Sequence, residues 1–360
     1  MTELEAVSGV GPAAAKKLRE AFVTTAELLA VQNPVELQKK TKLGEGTVEK
    51  IVRNARVLLG MHGFKSGLEV EREMESKSRL KTGIEKMDEA LFGGIEVGSL
   101  VELYGPARGG KTQVSAHLAV RAQLSKDKGG LEGRVLWLDT ESSFKPWVIR
   151  ANALRWGLDP DIALANVGRA EIFLSDQIQE IFESIPQLCA EQDYVIVVVD
   201  SFTGLFRAEY TGLESLRIRQ QEMNALLNQM RRTAKATDAI FVYTNQVMSK
   251  ISTYGGYDNA PIGGHILSHA SDYRFYTRRT KDDKRKLGLI DNAGLPEFEV
   301  ELVVGWGGMY SDSKSKKEIE PAILDYFEKH GVTEEAADID SDAEELEEVE
   351  VPHAKAGETG

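Results

Sequence analysis

The chain has 360 residues, 42% of them hydrophobic, a formal net charge of −13 at pH 7 and one cysteine. This length predicts two or three domains, and one cysteine excludes an internal disulfide, as suits a reducing cytosol. Residues 334–360 hold eleven Asp and Glu and one Lys, so the first 333 residues carry only −3. The acidity is therefore local and does not exclude a nucleic-acid partner. Because apolar runs stay well short of about 18 residues and the single cysteine suits a reducing cytosol, we expect a cytoplasmic protein without membrane contact.

Residues 1–59 predict a small helical module. Glycine turns at 8–12 and 43–47 each open a helix. Such turns are typical of helix-hairpin-helix modules, whose backbone amides face a DNA phosphate. Nine basic residues against seven Glu give this segment a net charge of +2. The module suits weak, sequence-independent DNA contact, with protein docking as the alternative.

Residues 60–78 are charged and lack a strong amphipathic period, which predicts an interdomain linker. Phe64 is an isolated aromatic residue in this polar stretch. Its ring needs a pocket either in this chain or in a neighbouring one.

From residue 79 to about 311, apolar strand runs alternate with helical stretches. This pattern predicts an α/β domain with a mostly parallel sheet covered by helices on both faces. The predicted strands are 99–104, 134–139, 194–200, 239–245, 272–277 and 288–290. Ligands of such sheets bind at the carboxyl ends of the strands.

A complete GxxxxGK[ST] phosphate loop follows the first of these strands and precedes a helical stretch. Lys111 is expected to reach the β and γ phosphates of a nucleoside triphosphate, and the Thr112 hydroxyl to ligate Mg²⁺. The predicted nucleotide-binding residues of the loop are Gly105, Pro106, Ala107, Arg108, Gly109, Gly110, Lys111, Thr112 and Gln113.

Three further strand ends carry polar side chains suited to phosphoryl transfer. Asp200 ends an apolar strand, and an aspartate at such a position typically holds Mg²⁺ through the water shell of the ion. Glu141 follows another strand and is the candidate that activates the attacking water. Gln246 is an uncharged amide that suits detection of the γ-phosphate. Together with Lys111, these residues predict a nucleoside triphosphatase.

Two segments, 207–220 and 247–261, are predicted as long functional loops. The first contains three arginines, and the second mixes small residues with one lysine and two tyrosines. Basic and aromatic side chains together suit a single strand of DNA. The candidate DNA-binding residues are Arg207, Arg217, Arg219, Lys250, Tyr254, Gly255 and Gly256.

From about residue 3 to 311, the sequence resembles the RadA/RecA recombinase family, and the helical module makes the archaeal RadA branch most similar. The motifs that carry the resemblance are 82–94, 105–112, 139–144, 206–210, 219–221, 244–247, 261–269, 289–291 and 295–297. The resemblance implies a RecA-like P-loop ATPase core beside the helix-hairpin-helix domain. It further implies a helical filament on single-stranded DNA that pairs it with homologous duplex and exchanges strands during DNA repair.

The resemblance also implies roles for residues whose motifs match the family. Asp291 and Pro296 correspond to a segment that caps ATP bound to the neighbouring subunit, and His265 to a residue that responds to the γ-phosphate. Phe64 corresponds to an aromatic plug that links protomers, with Gly67 where the family usually has Ala. Resting rings, mediator proteins and a monovalent cation beside Asp291 remain open.

Some positions depart from the family pattern. Val148 stands where an adenine-stacking arginine is usual, and Arg150 is the candidate to replace it. In the two DNA loops, Glu214 replaces a usual Gly and Lys250 a usual Arg. These departures keep the overall charge pattern but alter the expected contacts to adenine and DNA.

The resulting domain prediction has five parts: a helix-hairpin-helix domain (1–59), a linker with a polymerisation motif (60–78), a RecA-like ATPase core (79–311), an extra amphipathic helix (312–333) and a disordered acidic tail (334–360). The tail is either solubilising or a DNA mimic that competes for basic surfaces. As a whole, the chain predicts a DNA-dependent ATPase that acts as a recombinase. The alternative is a recombinase paralogue that binds DNA as a mediator with little strand exchange of its own.

Overall fold

The computed structural model of the chain describes residues 1–209, 215–251, 257–261 and 270–331. Its first part is a bundle of short helices around a separate apolar core that includes Leu18, Leu29 and Ile51. The helices are α1 (Pro12–Glu20), α2 (Ala26–Ala30), α3 (Pro34–Thr41) and α4 (Glu45–Leu58). Gly11 and Gly44 are the N-cap residues of α1 and α4, so both predicted glycine turns do open helices.

The segment predicted as a linker contains helix α5 (Gly67–Ser76). A capping box starts it: the Ser66 hydroxyl accepts the Glu69 amide, and the Glu69 carboxylate accepts the Ser66 amide at 2.7 Å. None of its ten residues is buried. The periodicity did not indicate this helix, because a helix without a buried face needs no apolar stripe.

Two short strands, β1 (Arg79–Leu80) and β2 (Ile95–Glu96), pair antiparallel around helix α6 (Glu85–Ala90). A large central sheet follows. In order across the sheet, its strands are β12 (Gly308–Tyr310), β11 (Phe298–Gly305), β10 (Lys284–Asp291), β9 (Tyr273–Arg279), β3 (Leu100–Gly105), β7 (Ile240–Ile251), β6 (Tyr194–Asp200), β4 (Arg134–Asp139) and β5 (Val167–Glu171). The six strands from β9 to β5 are parallel, whereas β10, β11 and β12 are antiparallel. The prediction of a mostly parallel α/β sheet is thus confirmed.

Helices cover both faces of this sheet. They are α7 (Lys111–Ala122), α8 (Pro146–Trp156), α9 (Pro160–Ala165), α10 (Ser175–Glu191), α11 (Gly204–Glu209) and α12 (Leu216–Thr237). Alternate residues of β6 point to opposite faces, as strand geometry requires. Val198 joins the core beneath α7 and α8, and Val199 joins the core beneath α10 and α12. The strand ends therefore meet at one edge between two buried apolar layers.

The segment predicted as a second long loop is partly a β-hairpin. Strand β7 continues to Ile251, and β8 (Tyr257–Pro261) pairs with it antiparallel. The prediction of a loop at 247–261 was therefore wrong for the described part. Small and polar residues concealed the strands, because an edge hairpin can satisfy its backbone hydrogen bonds without an apolar face. The loop predicted at 207–220 is likewise helical at 207–209 and 216–220, because Ala, Glu, Leu, Arg and Gln favour a helix.

Helix α13 (Ser313–Lys329) follows the sheet, at the place predicted for an added C-terminal helix. Ile323 and Phe327 form a small core with Ala151 of α8. The indole of Trp306 lies 5.5 Å from the rings of both Trp147 and Phe327, between centroids. Among the described residues, no helix combines the length and the hydropathy that a bilayer span requires.

Candidate functional site

The phosphate loop connects β3 to α7 and is fixed in place by β9. A Cβ atom at Gly105 would lie 1.9 Å from the carbonyl oxygen of Thr277, so only glycine fits there. The Thr277 hydroxyl donates to the carbonyl of Gly109 at 2.6 Å. Gly110, with φ +101°, caps the N-terminus of α7 in a left-handed conformation. The loop therefore leads directly into a helix N-terminus, the arrangement that binds phosphate groups.

Lys111 is the first residue of α7 and is buried beneath this loop. Its ammonium donates to the carbonyls of Gly105 at 3.1 Å and Pro106 at 2.9 Å. Burial lowers the pKa of Lys111, and the nearby Asp200 and Glu141 carboxylates act in the opposite direction. A cation is thus held within the loop and faces two acids.

Asp200, at the end of β6, accepts hydroxyls at both carboxylate oxygens, including a longer bond of 3.4 Å from Ser143 to Oδ2. Thr112 donates to Oδ2 at 2.7 Å, and Thr244 donates to Oδ1 at 2.5 Å. Burial raises the pKa of Asp200, and the two hydroxyls partly offset this rise. A hydroxyl and a carboxylate at this distance form the kind of oxygen pair that ligates Mg²⁺ directly or through water.

Glu141 is exposed beside Asp200, and two side chains orient its carboxylate. Its Oε1 atom accepts the Ser201 hydroxyl at 2.6 Å and the Gln246 amide at 3.2 Å. An exposed carboxylate held from two sides can accept a proton from water while keeping its direction. The predicted residues Lys111 and Thr112 therefore share one site with Glu141, Asp200 and Gln246.

Asp139 anchors the segment that carries Glu141. Its buried carboxylate accepts the amides of Ser143 at 2.9 Å and Phe144 at 3.1 Å. The guanidinium of Arg169 pairs with the same carboxylate at 2.6 Å. The last strand of the parallel part, β5, thus holds the Glu141 segment against the sheet through Arg169.

Sequence reasoning did not single out Ser201, Thr244 or Arg169. Ser201 and Thr244 each adjoin a residue that was singled out, so the strand ends themselves were a usable signal. Arg169 lies on β5, a strand whose polar residues gave no apolar run. Its contact with Asp139 joins positions 30 residues apart, which no local pattern shows.

Asp291 and Pro296, the residues expected to cap a neighbour's nucleotide, lie at the surface. Asp291 ends β10, where its register partner is Arg274, three residues before Thr277 on β9. Its side chain is 56% exposed, and Pro296 is also exposed. Both residues face outward, as a contact to a second protomer would require.

The candidate DNA-binding residues lie near the ends of α11, α12 and β7. Arg217 is exposed and Arg219 half-buried in the first turn of α12. Arg207 belongs to α11 and Lys250 to the extended part of β7. Tyr254, Gly255, Gly256 and the γ-phosphate candidate His265 lie outside the described residues.

The remaining candidates are distributed as follows. Phe64 is fully exposed and Gly67 begins α5, so the described part of this chain offers the Phe64 ring no pocket. Val148 is buried in the core, and the Arg150 guanidinium pairs with Asp161 at 2.6 Å. Arg150 is thus already engaged by a carboxylate.

Two family models match the sequence. The model of the family named Rad51 matches residues 74–312, and that of a SAM-like helix-hairpin-helix tandem matches residues 1–56. Three of the similar curated proteins are named DNA repair and recombination protein RadA. That of Methanocorpusculum labreanum is 35% identical over 324 residues, covering 85% of this chain and 98% of its own length. Those of Metallosphaera sedula and Aeropyrum pernix are 37% and 38% identical, covering 82% and 83% of this chain and 91% and 94% of their own lengths.

Proposed function

This chain belongs to the Rad51 family, and we propose that it is an ATP-dependent DNA recombinase. In this proposal it forms a filament on single-stranded DNA and catalyses homologous pairing and strand exchange in DNA repair. The observation that carries the proposal is the convergence of Lys111, Asp200 and Glu141 at the end of the parallel sheet. The relatives named as DNA repair and recombination proteins support the same reading over most of the chain.

The phosphate loop binds ATP in this proposal. The loop at residues 105–113, through its backbone amides other than at Pro106, and the Lys111 ammonium would surround the phosphates, while Thr112 and Asp200 would hold Mg²⁺. The donor set fits, because the two oxygens lie 2.7 Å apart and hard cations prefer oxygen ligands. Bound Mg²⁺ supplies charge neutralisation on the phosphates.

Glu141 is the proposed general base. Its carboxylate orients the attacking water, and Ser201 and Gln246 keep the carboxylate aimed. Gln246 also serves as the γ-phosphate sensor in this proposal, since it lies on β7, donates its amide to Glu141, and is followed in the chain by the DNA-contacting segment. His265 is proposed to respond to the same phosphate.

Nucleotide binding and assembly are coupled in this proposal. Asp291 and Pro296 cap the nucleotide of the neighbouring protomer, which agrees with their exposure. Phe64 docks into that protomer, with Gly67 beside it. ATP at such a protomer interface would link filament assembly to the nucleotide state.

DNA is the proposed macromolecular partner. The segments around Arg207, Arg217, Arg219 and Lys250, together with residues 254–256, bind the single strand, and the duplex is the second substrate. The N-terminal module (1–59) adds weak phosphate contacts.

We propose that the rest of the chain is divided into the linker at 60–78, the ATPase core at 79–311, the added helix at 312–333 and the acidic tail at 334–360. Rings are a further candidate form of the homo-oligomer, and mediator proteins are further candidate partners. The proposed location is the cytoplasm.

Joint-molecule formation tests the proposal. The native chain and Lys111→Ala are incubated with a single strand, a homologous duplex, ATP and Mg²⁺. Product from the native chain and none from the variant supports an ATP-driven recombinase. Binding of ATP and DNA without joint molecules would instead favour a mediator.

A further inference from the structure

A chain of buried polar side chains crosses the centre of the sheet. Arg274 on β9 donates through Nε to Glu102 Oε2 on β3 at 2.7 Å. Asn245 on β7 donates through Nδ2 to Glu102 Oε1 at 2.8 Å. The Thr203 hydroxyl, just beyond β6, donates to Asn245 Oδ1 at 3.0 Å. We call these four residues the polar chain.

The polar chain is not explained by stability alone. Glu102 and Asn245 are fully buried, and Arg274 is only 8% exposed. Burial acts to lower the pKa of Arg274, but the Glu102 carboxylate outweighs it and the pKa is raised. Replacing a buried ion pair by apolar side chains is often neutral or stabilising. The Glu102–Arg274 ion pair is therefore a candidate for a role beyond stabilising the fold.

The ends of the polar chain adjoin segments that the proposed function uses. Asp291, the proposed cap on the neighbour's nucleotide, lies 3.9 Å from Arg274. Asn245 directly precedes Gln246, whose amide contacts Glu141. Thr203 directly precedes α11, which carries Arg207.

We propose that Glu102 is a positioning residue that couples the nucleotide state to DNA binding. Its two carboxylate oxygens tie β9 to β7, so a displacement of Asp291 or Gln246 is passed to Thr203 and α11. The inference rests on the proposed function, because it assigns roles to both ends of the polar chain. It adds residues remote from ATP and DNA that set the coupling between them.

The variants remove the coupling contact without touching either ligand site. Glu102→Gln keeps the shape but removes the charge that pairs with Arg274. Thr203→Val keeps the volume and removes only the hydroxyl donor at the far end, so it remains informative if Glu102→Gln is unstable. Glu96→Gln is the matched control, since Glu96 is a largely buried carboxylate paired with Arg79 at 3.1 Å in the separate small sheet.

The measurement is the dissociation constant of a labelled oligothymidine by fluorescence anisotropy, with ADP and with a non-hydrolysable ATP analogue, each with Mg²⁺. The dissociation constant with ADP divided by that with the ATP analogue measures the coupling between nucleotide state and DNA binding. We expect Glu102→Gln to reduce this ratio at least about fivefold, toward one, and Thr203→Val to reduce it less. Glu96→Gln should stay within about twofold of the native ratio. A fluorescently labelled form of the same ATP analogue measures nucleotide affinity in the absence of DNA. This affinity should equal that of the native chain in all three variants.

Two results would overturn the inference while leaving the proposed function intact: native ratios in folded Glu102→Gln and Thr203→Val proteins, or a loss of ATP affinity without DNA. The native chain tests the proposed function separately. If it binds no nucleotide, or binds DNA equally with both nucleotides, the proposed function fails and the inference fails with it.

Discussion

Replacing Ser201 by alanine isolates the contact that aims Glu141. The Ser201 hydroxyl donates to Glu141 Oε1 at 2.6 Å and accepts the Gly204 amide at 3.2 Å. It is 1% exposed, so the bond is sheltered on the serine side although Glu141 itself is open to solvent. Ser201→Ala therefore leaves Glu141 held by Gln246 alone.

The expected loss follows from the strength of this bond. A hydrogen bond to a charged group contributes about 1.5–3 kcal/mol, and exposure of Glu141 favours the lower end. Because about 1.4 kcal/mol corresponds to a tenfold change in rate, kcat for ATP hydrolysis should fall about tenfold. KM should stay within about twofold, since Ser201 makes none of the phosphate-loop contacts described above.

Steady-state ATP hydrolysis with saturating single-stranded DNA measures both constants. Ser142→Ala is the matched control, because the Ser142 hydroxyl donates at 2.8 Å to Glu171 rather than to Glu141. It removes the same group from the segment that carries Glu141 and should leave kcat within about twofold. A native kcat in Ser201→Ala, or equal losses in both variants, would refute the assignment of Ser201 as the group that orients the base.

Three further predictions concern stability and assembly. Burial lowers the pKa of His117 to about 3, so the unfolded chain takes up a proton near pH 6.5 that the folded chain refuses until far lower pH. The free energy of unfolding therefore falls as the pH falls. Between pH 7 and pH 5, urea unfolding should show a fall about 2 kcal/mol smaller in His117→Gln than in the native chain. Equal falls in the two proteins would contradict this prediction. Phe327→Ala should cost about 3–5 kcal/mol in the same assay, because Phe327 is 2% exposed, whereas Leu324→Ala on the same helix should cost under about 1 kcal/mol. Phe64→Glu should shift the mass measured by light scattering toward the monomer without unfolding the chain. Phe92→Glu, at another exposed phenylalanine, should leave the assembly unchanged. Assembly that survives Phe64→Glu would exclude Phe64 as the residue that links protomers.

Local patterns were sufficient for the parts of the site that lie beside one strand end. The apolar run before Gly105 and the helical stretch after Thr112 predicted β3 and α7, and Asp200 was correctly placed at the end of β6. Parallel strands bring their carboxyl ends to one edge, so proximity of these residues followed from the strand pattern.

Contacts between distant strands could not be derived in this way. Glu102 meets Arg274 across 172 sequence positions, and either residue alone indicates only a charged residue in an apolar strand. The antiparallel strands β11 and β12 were missed, because their register depends on β10 beside them. Helix α5 escaped notice because its stability resides in a cap rather than in an apolar stripe.

The position of β3 constrains how this protein is made. Strand β3 lies between β7 and β9, and the phosphate loop that follows it is clasped by Thr277. A ribosome synthesises Gly105 about 170 residues before Thr277. The N-terminal helices contact one another locally and can fold as they emerge, whereas the loop must wait for most of the core. A nascent chain therefore acquires its complete phosphate-binding loop only after Thr277 has been synthesised.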